Sequence, residues 1–179
     1  KRDPLLGFML VISSNDAASA FKEAIPNFMD TMNAYAKQIG LEHTTFYNPS
    51  GLDAGGKPGA IGTAKDMSTL ILHFLDTMPE IAAQTTLPQN SYTARTAQDR
   101  EKTHTISNTN DLSVHIDTLL ASKTGYTKLA GGNLAIVYRV PIYGNTVAIV
   151  VLGSTREGRF VDIERYMEGV ENYFKISKK

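Results

Sequence analysis

Residues 119–154, LLASKTGYTKLAGGNLAIVYRVPIYGNTVAIVVLGS, carry the pattern that decides the fold. Leu119 to Thr127, Asn133 to Val140 and Thr146 to Gly153 are runs of strand-forming residues interrupted by glycines and short polar side chains. Tyr143-Gly144-Asn145 supplies a turn between the last two, which are therefore expected as adjacent antiparallel strands. Beyond them Phe160, Ile163, Tyr166, Met167, Val170, Tyr173 and Phe174 recur at helical spacing, giving a C-terminal helix that can lie across the sheet.

The first half of the chain reads differently. Asp3-Pro4 opens a helix with the apolar residues Leu5, Leu6, Phe8, Met9 and Ile12, and Ser13-Ser14-Asn15-Asp16 stops it. Asp16 is the expected cap of a second helix, Ala17 to Ile25. Pro26-Asn27 then opens a third, with Phe28, Met32, Tyr35, Ala36 and Ile39 as its apolar stripe and Gly40 as its stop. Leu41 to Gly62, rich in glycine and proline, reads as a long loop with defined turns. Thr63 caps a helix running to about Met78, with Met67, Leu70, Ile71 and Phe74 on its inner side. A short helix follows Pro79, and Thr85 to His104 reads as loop with one or two edge strands. Helices first and a covered antiparallel sheet afterwards make the fold class α+β, a helical cluster plus sheet, in one domain over residues 1–179. Lys175 to Lys179 read as a frayed end or the start of a linker.

Composition narrows the function. Lys and Arg number 18 and Asp and Glu 18, so no basic field is available for nucleic acid or an anionic membrane surface. With no cysteine there are no disulfides, thiolate metal sites or thiol nucleophiles. Leu5 to Ile12 is too short to span a bilayer and lacks a cleavage pattern. The opening Lys1-Arg2-Asp3-Pro4 runs straight into a helix and reads like the middle of a gene. No Gly-x-Ser-x-Gly elbow is present, and His43, His73, His104 and His115 lack both a triad pairing and metal-ligand spacing, so a triad hydrolase is disfavoured and no metal site is expected.

Two short elements carry chemistry. Lys123 on a strand can hold a carboxylate or move a proton, and Thr124 adds a hydroxyl for the same carboxylate. Gly125 lets a bound peptide lie against the strand edge and pair with the backbone running into Tyr126 and Thr127. Ser13 and Asn15, two apart in an extended loop, would point the same way, one relaying a proton and one holding a substrate amide. Each element also has a plain reading, Ser13-Ser14-Asn15 above all as a helix cap.

On these residues the chain resembles the low-molecular-mass penicillin-binding D-alanyl-D-alanine carboxypeptidases. Leu10 to Ala18 is similar to the family's serine-x-asparagine segment, and Ser122 to Thr127 to its Lys-Thr-Gly strand. Between them Met32-Asn33 through Leu41, Thr44 to Asp53 with its Asn-Pro-x-Gly-Leu loop, Thr63 to Met67 and Asn108-Thr109-Asn110 resemble family segments in order. The resemblance implies a penicillin-binding-protein/β-lactamase-like transpeptidase fold. It makes Ser13 a proton-relay serine with Asn15 and Lys123 as catalytic partners and Thr124 a carboxylate contact. Tyr126 would give a backbone N–H to the oxyanion hole. Arg159 falls where the family has an arginine near the substrate's terminal carboxylate; its plain reading is a solvated arginine at a helix start. The implied partners are peptidoglycan stem peptides ending in D-alanyl-D-alanine and β-lactam antibiotics, and the implied location is periplasmic or otherwise extracytoplasmic.

The family's nucleophile lies in a Ser-x-x-Lys motif well before the serine-x-asparagine loop, whereas only residues 1–12 precede Ser13 here. The match Ser19-Ala20-Phe21-Lys22 lies on the wrong side of Asn15. The expectation is a partial catalytic domain, its N-terminal part absent, inactive unless a separate segment supplies the serine. Two alternatives stand beside it: a non-catalytic penicillin- or peptidoglycan-binding module, and a class A β-lactamase, which would need a Glu-containing loop where Asn48 to Asp53 stands.

Overall fold

The computed structural model describes residues 2–95 and 100–177. Six α-helices are present among them: α1 (Arg2–Val11), α2 (Asn15–Ala24), α3 (Phe28–Gln38), α4 (Ala64–Thr77), α5 (Pro79–Gln84) and α6 (Gly158–Ser177). The strands are the two-residue pair β1 (Thr45–Phe46) and β2 (Ala60–Ile61), the hairpin β3 (Gln89–Arg95) and β4 (Glu101–Ser107), and the sheet of β5 (Leu119–Thr127), β6 (Gly131–Arg139) and β7 (Thr146–Ser154). All pairings are antiparallel, and β6 is the central strand of its sheet.

Side-chain alternation on β6 explains the layering. Leu134, Ile136, Tyr138 and Val140 face a core completed by Ile149, Val151 and Ile163 of α6, while Val137 turns to a second core with Ile71 of α4, Ala82 of α5 and Ala121. With both faces covered, β6 reads as a continuous apolar run instead of an alternating one. The helix-then-sheet order, the strand pairing and the covering C-terminal helix agree with the α+β reading.

Several local expectations are corrected. The cap of α2 is Ser14, whose Oγ accepts from Ala17 N at 3.2 Å, and Asp16 lies inside the first turn, where its charge favours the helix dipole. Tyr35 is not on the buried stripe of α3; it is 47% exposed and its hydroxyl lies 2.6 Å from His73 Nε2. Between Thr85 and His104 the expected strands are present, β3 and β4 paired as a hairpin after a turn at residues 85–88. Thr85 is buried and fixes α5 to the sheet, its Oγ1 accepting from Ser122 N at 2.9 Å and its carbonyl from Ser122 Oγ at 2.7 Å. The hairpin beyond it was obscured because threonine and serine pairs, Ser91–Thr105 and Thr93–Thr103, fill its exposed face in place of apolar residues. Lys175 to Ser177 continue α6, so the frayed end does not begin there; Lys1, Lys178 and Lys179 lie outside the described residues.

Loop Leu41–Gly62 is held by one buried carboxylate. Asp66 Oδ2 accepts from Thr44 Oγ1 at 2.7 Å and from His43 N at 2.9 Å, while Asp66 N donates to the cap Thr63 at 3.1 Å. The Thr44 hydroxyl is the main influence lowering the Asp66 pKa below the usual carboxylate value, with the His43 N–H adding to it against the opposing effect of burial. A depressed folded-state pKa means the contribution is present above the unfolded value and lost as pH falls through the folded one. The Asp66→Asn variant should therefore be less stable than wild type at pH 7. The gap should close as urea midpoints are followed into acid below about pH 4; a gap independent of pH would remove Asp66 ionisation from the account.

Candidate active site

The α1–α2 corner sets Ser13. Its φ of 58° lies in the left-handed region, uncommon for a residue with a Cβ. Ser14 closes both sides of it, donating its N–H back to Phe8 O at 3.1 Å and capping α2 with its hydroxyl. Ser13 and Asn15 are therefore aimed by a helix-to-helix corner and the first turn of α2, not by an extended loop, yet both line the same cleft.

Across the cleft stands β5, an edge strand. Ser122 N–H leaves the sheet to reach Thr85, so two-residue alternation turns Thr124 and Tyr126 backbone groups to that same open edge. Lys123 Nζ completes the join between the two walls, donating to Ser13 Oγ at 2.7 Å and to Thr124 O at 2.8 Å. Burial, and then the Arg159 guanidinium, lower the Lys123 amine from the ordinary lysine value to about 8. An amine in that range can exchange a proton with a serine hydroxyl near neutrality, which an ordinary surface lysine cannot do efficiently.

A second tie crosses at Thr124, which is buried. Its Oγ1 is 2.6 Å from Thr109 Oγ1, and Thr109 reaches Val11 O at 3.2 Å, linking β5 to the end of α1. Thr124 can offer its hydrogen to an anion only when Thr109 donates to it instead of to Val11. The Gly125 carbonyl accepts from Arg159 Nη1 at 2.8 Å, and a Cβ there would meet Asn133 at an ordinary 3.7 Å. Toward the open edge lie the Thr124 N–H and the Tyr126 backbone groups, the Thr124 carbonyl already accepting from Lys123 Nζ.

Arg159 is no solvated arginine. It is 7% exposed, its guanidinium lies 4.7 Å from the Phe160 ring centre, and Nε has no partner among the described residues. Burial, then Arg156, hold its pKa below the usual arginine value, against Asp111 and Glu157, which raise it. Ser13, Asn15, Lys123, Thr124, Gly125, Tyr126, Thr127 and Arg159 all line one cavity of about 1120 Å³. Sequence reading placed Thr109 and Asp53 in family-like segments without giving either a role, and missed Arg156; all three line the same walls. Asp53 Oδ2 accepts from Leu129 N at 2.9 Å and anchors the loop to the β5–β6 turn. No local pattern gave these three a role, because each acts through contacts distant in sequence. Ser19, by contrast, is exposed on α2 and does not line the cleft.

Comparison with known proteins gives the same grouping of residues a family. The peptidase S11 family, D-alanyl-D-alanine carboxypeptidase, matches residues 1–156. The chain belongs to this family. It is 29% identical over 92% of its length to D-alanyl-D-alanine carboxypeptidase DacA of Haemophilus influenzae, and 30% identical over 92% to DacD of Salmonella typhimurium, covering 40% of each. Among solved structures, penicillin-binding protein D2 of Listeria monocytogenes in its cefotaxime-bound form is 35% identical with a TM-score of 0.76, over 92% of this chain and 64% of that one. The chain thus spans about two fifths of the length of the curated relatives it matches and under two thirds of that structure. The helical cluster and antiparallel sheet are those of the penicillin-binding DD-peptidase fold.

The Lys123 amine gives a direct test. Its titration, followed through the side-chain ¹³Cε resonance, should have a midpoint near 8. In Arg159→Met the midpoint should rise, since removing a neighbouring cation favours the ammonium. A midpoint at the ordinary lysine value in wild type would remove the buried amine from the site.

Proposed function

We propose that this chain forms part of the catalytic domain of a serine-type D-alanyl-D-alanine carboxypeptidase that removes the terminal D-alanine from peptidoglycan stem peptides and is captured by β-lactams. The observation that carries the reading is the 2.7 Å hydrogen bond from Lys123 Nζ to Ser13 Oγ, which joins the helical wall to the strand wall with an amine near pKa 8. Family membership and the β-lactam-bound relative support the same chemistry.

In this scheme a substrate peptide pairs with the open edge of β5, its terminal carboxylate toward Thr124 and Arg159 and its amide toward Asn15. Gly125 and Thr127 shape the strand beneath it, and the Tyr126 N–H faces the oxyanion that forms on the attacked carbonyl. Ser13 and Lys123 pass a proton between the cleft and the leaving amine. The acyl-accepting hydroxyl is assigned to a Ser-x-x-Lys segment outside residues 1–179, since Ser19 does not line the cleft. Water then clears the acyl-enzyme. A stem-peptide substrate places the site outside the cytoplasm; among the described residues no helix is long and apolar enough to cross a membrane. The β-lactamase alternative lacks support, since the loop Asn48–Asp53 carries no glutamate and the matching family is the carboxypeptidase one.

Intact-mass measurement after incubation with a penicillin tests the scheme. Residues 1–179 alone should gain no penicilloyl group, whereas a mixture with the Ser-x-x-Lys segment should be labelled on that segment. Lys123→Ala should slow labelling by about a hundredfold or more. An adduct on Ser13 or Ser19 would overturn the assigned roles, and no labelling in either sample would favour a binding module over an enzyme.

A further inference from the structure

The turn between β7 and α6, residues 155–157, crosses the start of β6 at very short range. A Cβ at Gly132 would lie 2.0 Å from Thr155 O and 3.1 Å from Arg156 N, and one at Gly131, where φ is +67°, would lie 2.8 Å from Ser154 O. Only glycine permits this approach. Backbone seated so closely delivers what the turn carries to the β5 side of the sheet; it carries Arg156, and Arg159 follows in the first turn of α6. Arg159 is the buried one, fixed to Gly125 O. Arg156 is the exposed one, its Cζ 5.3 Å from the centre of the Tyr126 ring, and both Arg156 and Tyr126 line the cleft.

Tyr126 is 50% exposed, so the stacked pair forms the outer rim of the cleft beside the open strand edge. The ring holds the guanidinium through its face and leaves the N–H fork free to meet a planar anion. The Arg156 charge also reaches Arg159, lowering its pKa. Two guanidiniums and the Lys123 amine on one cleft repel one another until an anion lies among them.

We propose that Arg156, held on Tyr126, is a specificity-determining residue that supplies a second guanidinium for the terminal carboxylate of the bound peptide. The inference rests on the function proposed above and adds to it a second guanidinium, at the rim, that strengthens the preference of that site for a free terminal carboxylate over an amide. The preference is set partly at an exposed, salt-sensitive rim instead of wholly in the buried site. The seat made by Gly131 and Gly132 places it there.

The test is calorimetric titration of the full chain with an N-acylated peptide ending in D-alanyl-D-alanine and with its C-terminal amide, at low and physiological salt. In Arg156→Gln the preference for the acid should fall about threefold, mostly through weaker acid binding at low salt, with amide affinity unchanged. Tyr126→Leu should lose a similar factor, and Arg165→Gln, the same charge change on the exposed face of α6 outside the cleft, should lose none. An unchanged acid preference in Arg156→Gln, with wild type still preferring the acid, overturns the role of Arg156 and leaves the proposed function standing. No acid preference in wild type overturns the carboxylate site of the proposed function, and this inference with it.

Discussion

An ammonium group held half-buried between helices and sheet is the constraint on which the arrangement depends. Taking a lysine amine out of water is unfavourable unless acceptors replace the water, and Lys123 finds two, the hydroxyl of Ser13 and the carbonyl of Thr124. Both must be in place together. Ser13 therefore stands in a left-handed conformation that its neighbours enforce, with Ser14 tied backward to α1 and forward to α2. The run Thr124–Thr109–Val11 fixes the distance between that corner and β5. The lowered pKa is the electrostatic trace of the same packing, increased by a second cation, Arg159, placed nearby.

The rest of the fold serves to hold the two walls. Burial of β6 on both faces, against α6 and against α4 with α5, makes the sheet a stiff support for its edge strand. Thr85 pins the start of β5 from outside, which leaves the stretch from Thr124 to Tyr126 as the open portion of the edge. The third side of the cleft comes from the loop between α3 and α4, whose polar backbone is held at one end by Asp66 and at the other by Asp53. Both are single carboxylates that accept backbone or hydroxyl hydrogens across long sequence separations.

Charge in the cleft is divided by depth. Lys123 and Arg159 are desolvated and ordered by backbone carbonyls, so they act in a medium where an anion is strongly attracted. Arg156 lies at the rim on an aromatic face, where water and salt weaken its field.

The sequence by itself determined the strands Leu119–Thr127, the two that follow and the C-terminal helix, through local signals of apolar periodicity and turn residues. It paired Ser13 and Asn15 with the Lys-Thr-Gly element through the resemblance to the family. It misread Asp16 as a cap because any short polar residue before a helix can serve, and only backbone geometry chose Ser14. It placed Thr85 in a loop, as found, but did not reveal its burial, because a buried threonine that satisfies a strand edge looks the same as an exposed one. It left Arg159 open between solvent and substrate, and could not see Arg156 on Tyr126, since both placements follow from backbone crossing β6 at Gly131 and Gly132. Local propensity and pattern are written along the chain. Which side of a strand is open, which cation is buried and which hydroxyl meets an amine were decided only when distant segments packed, because burial and hydrogen-bond satisfaction are properties of the assembled interior.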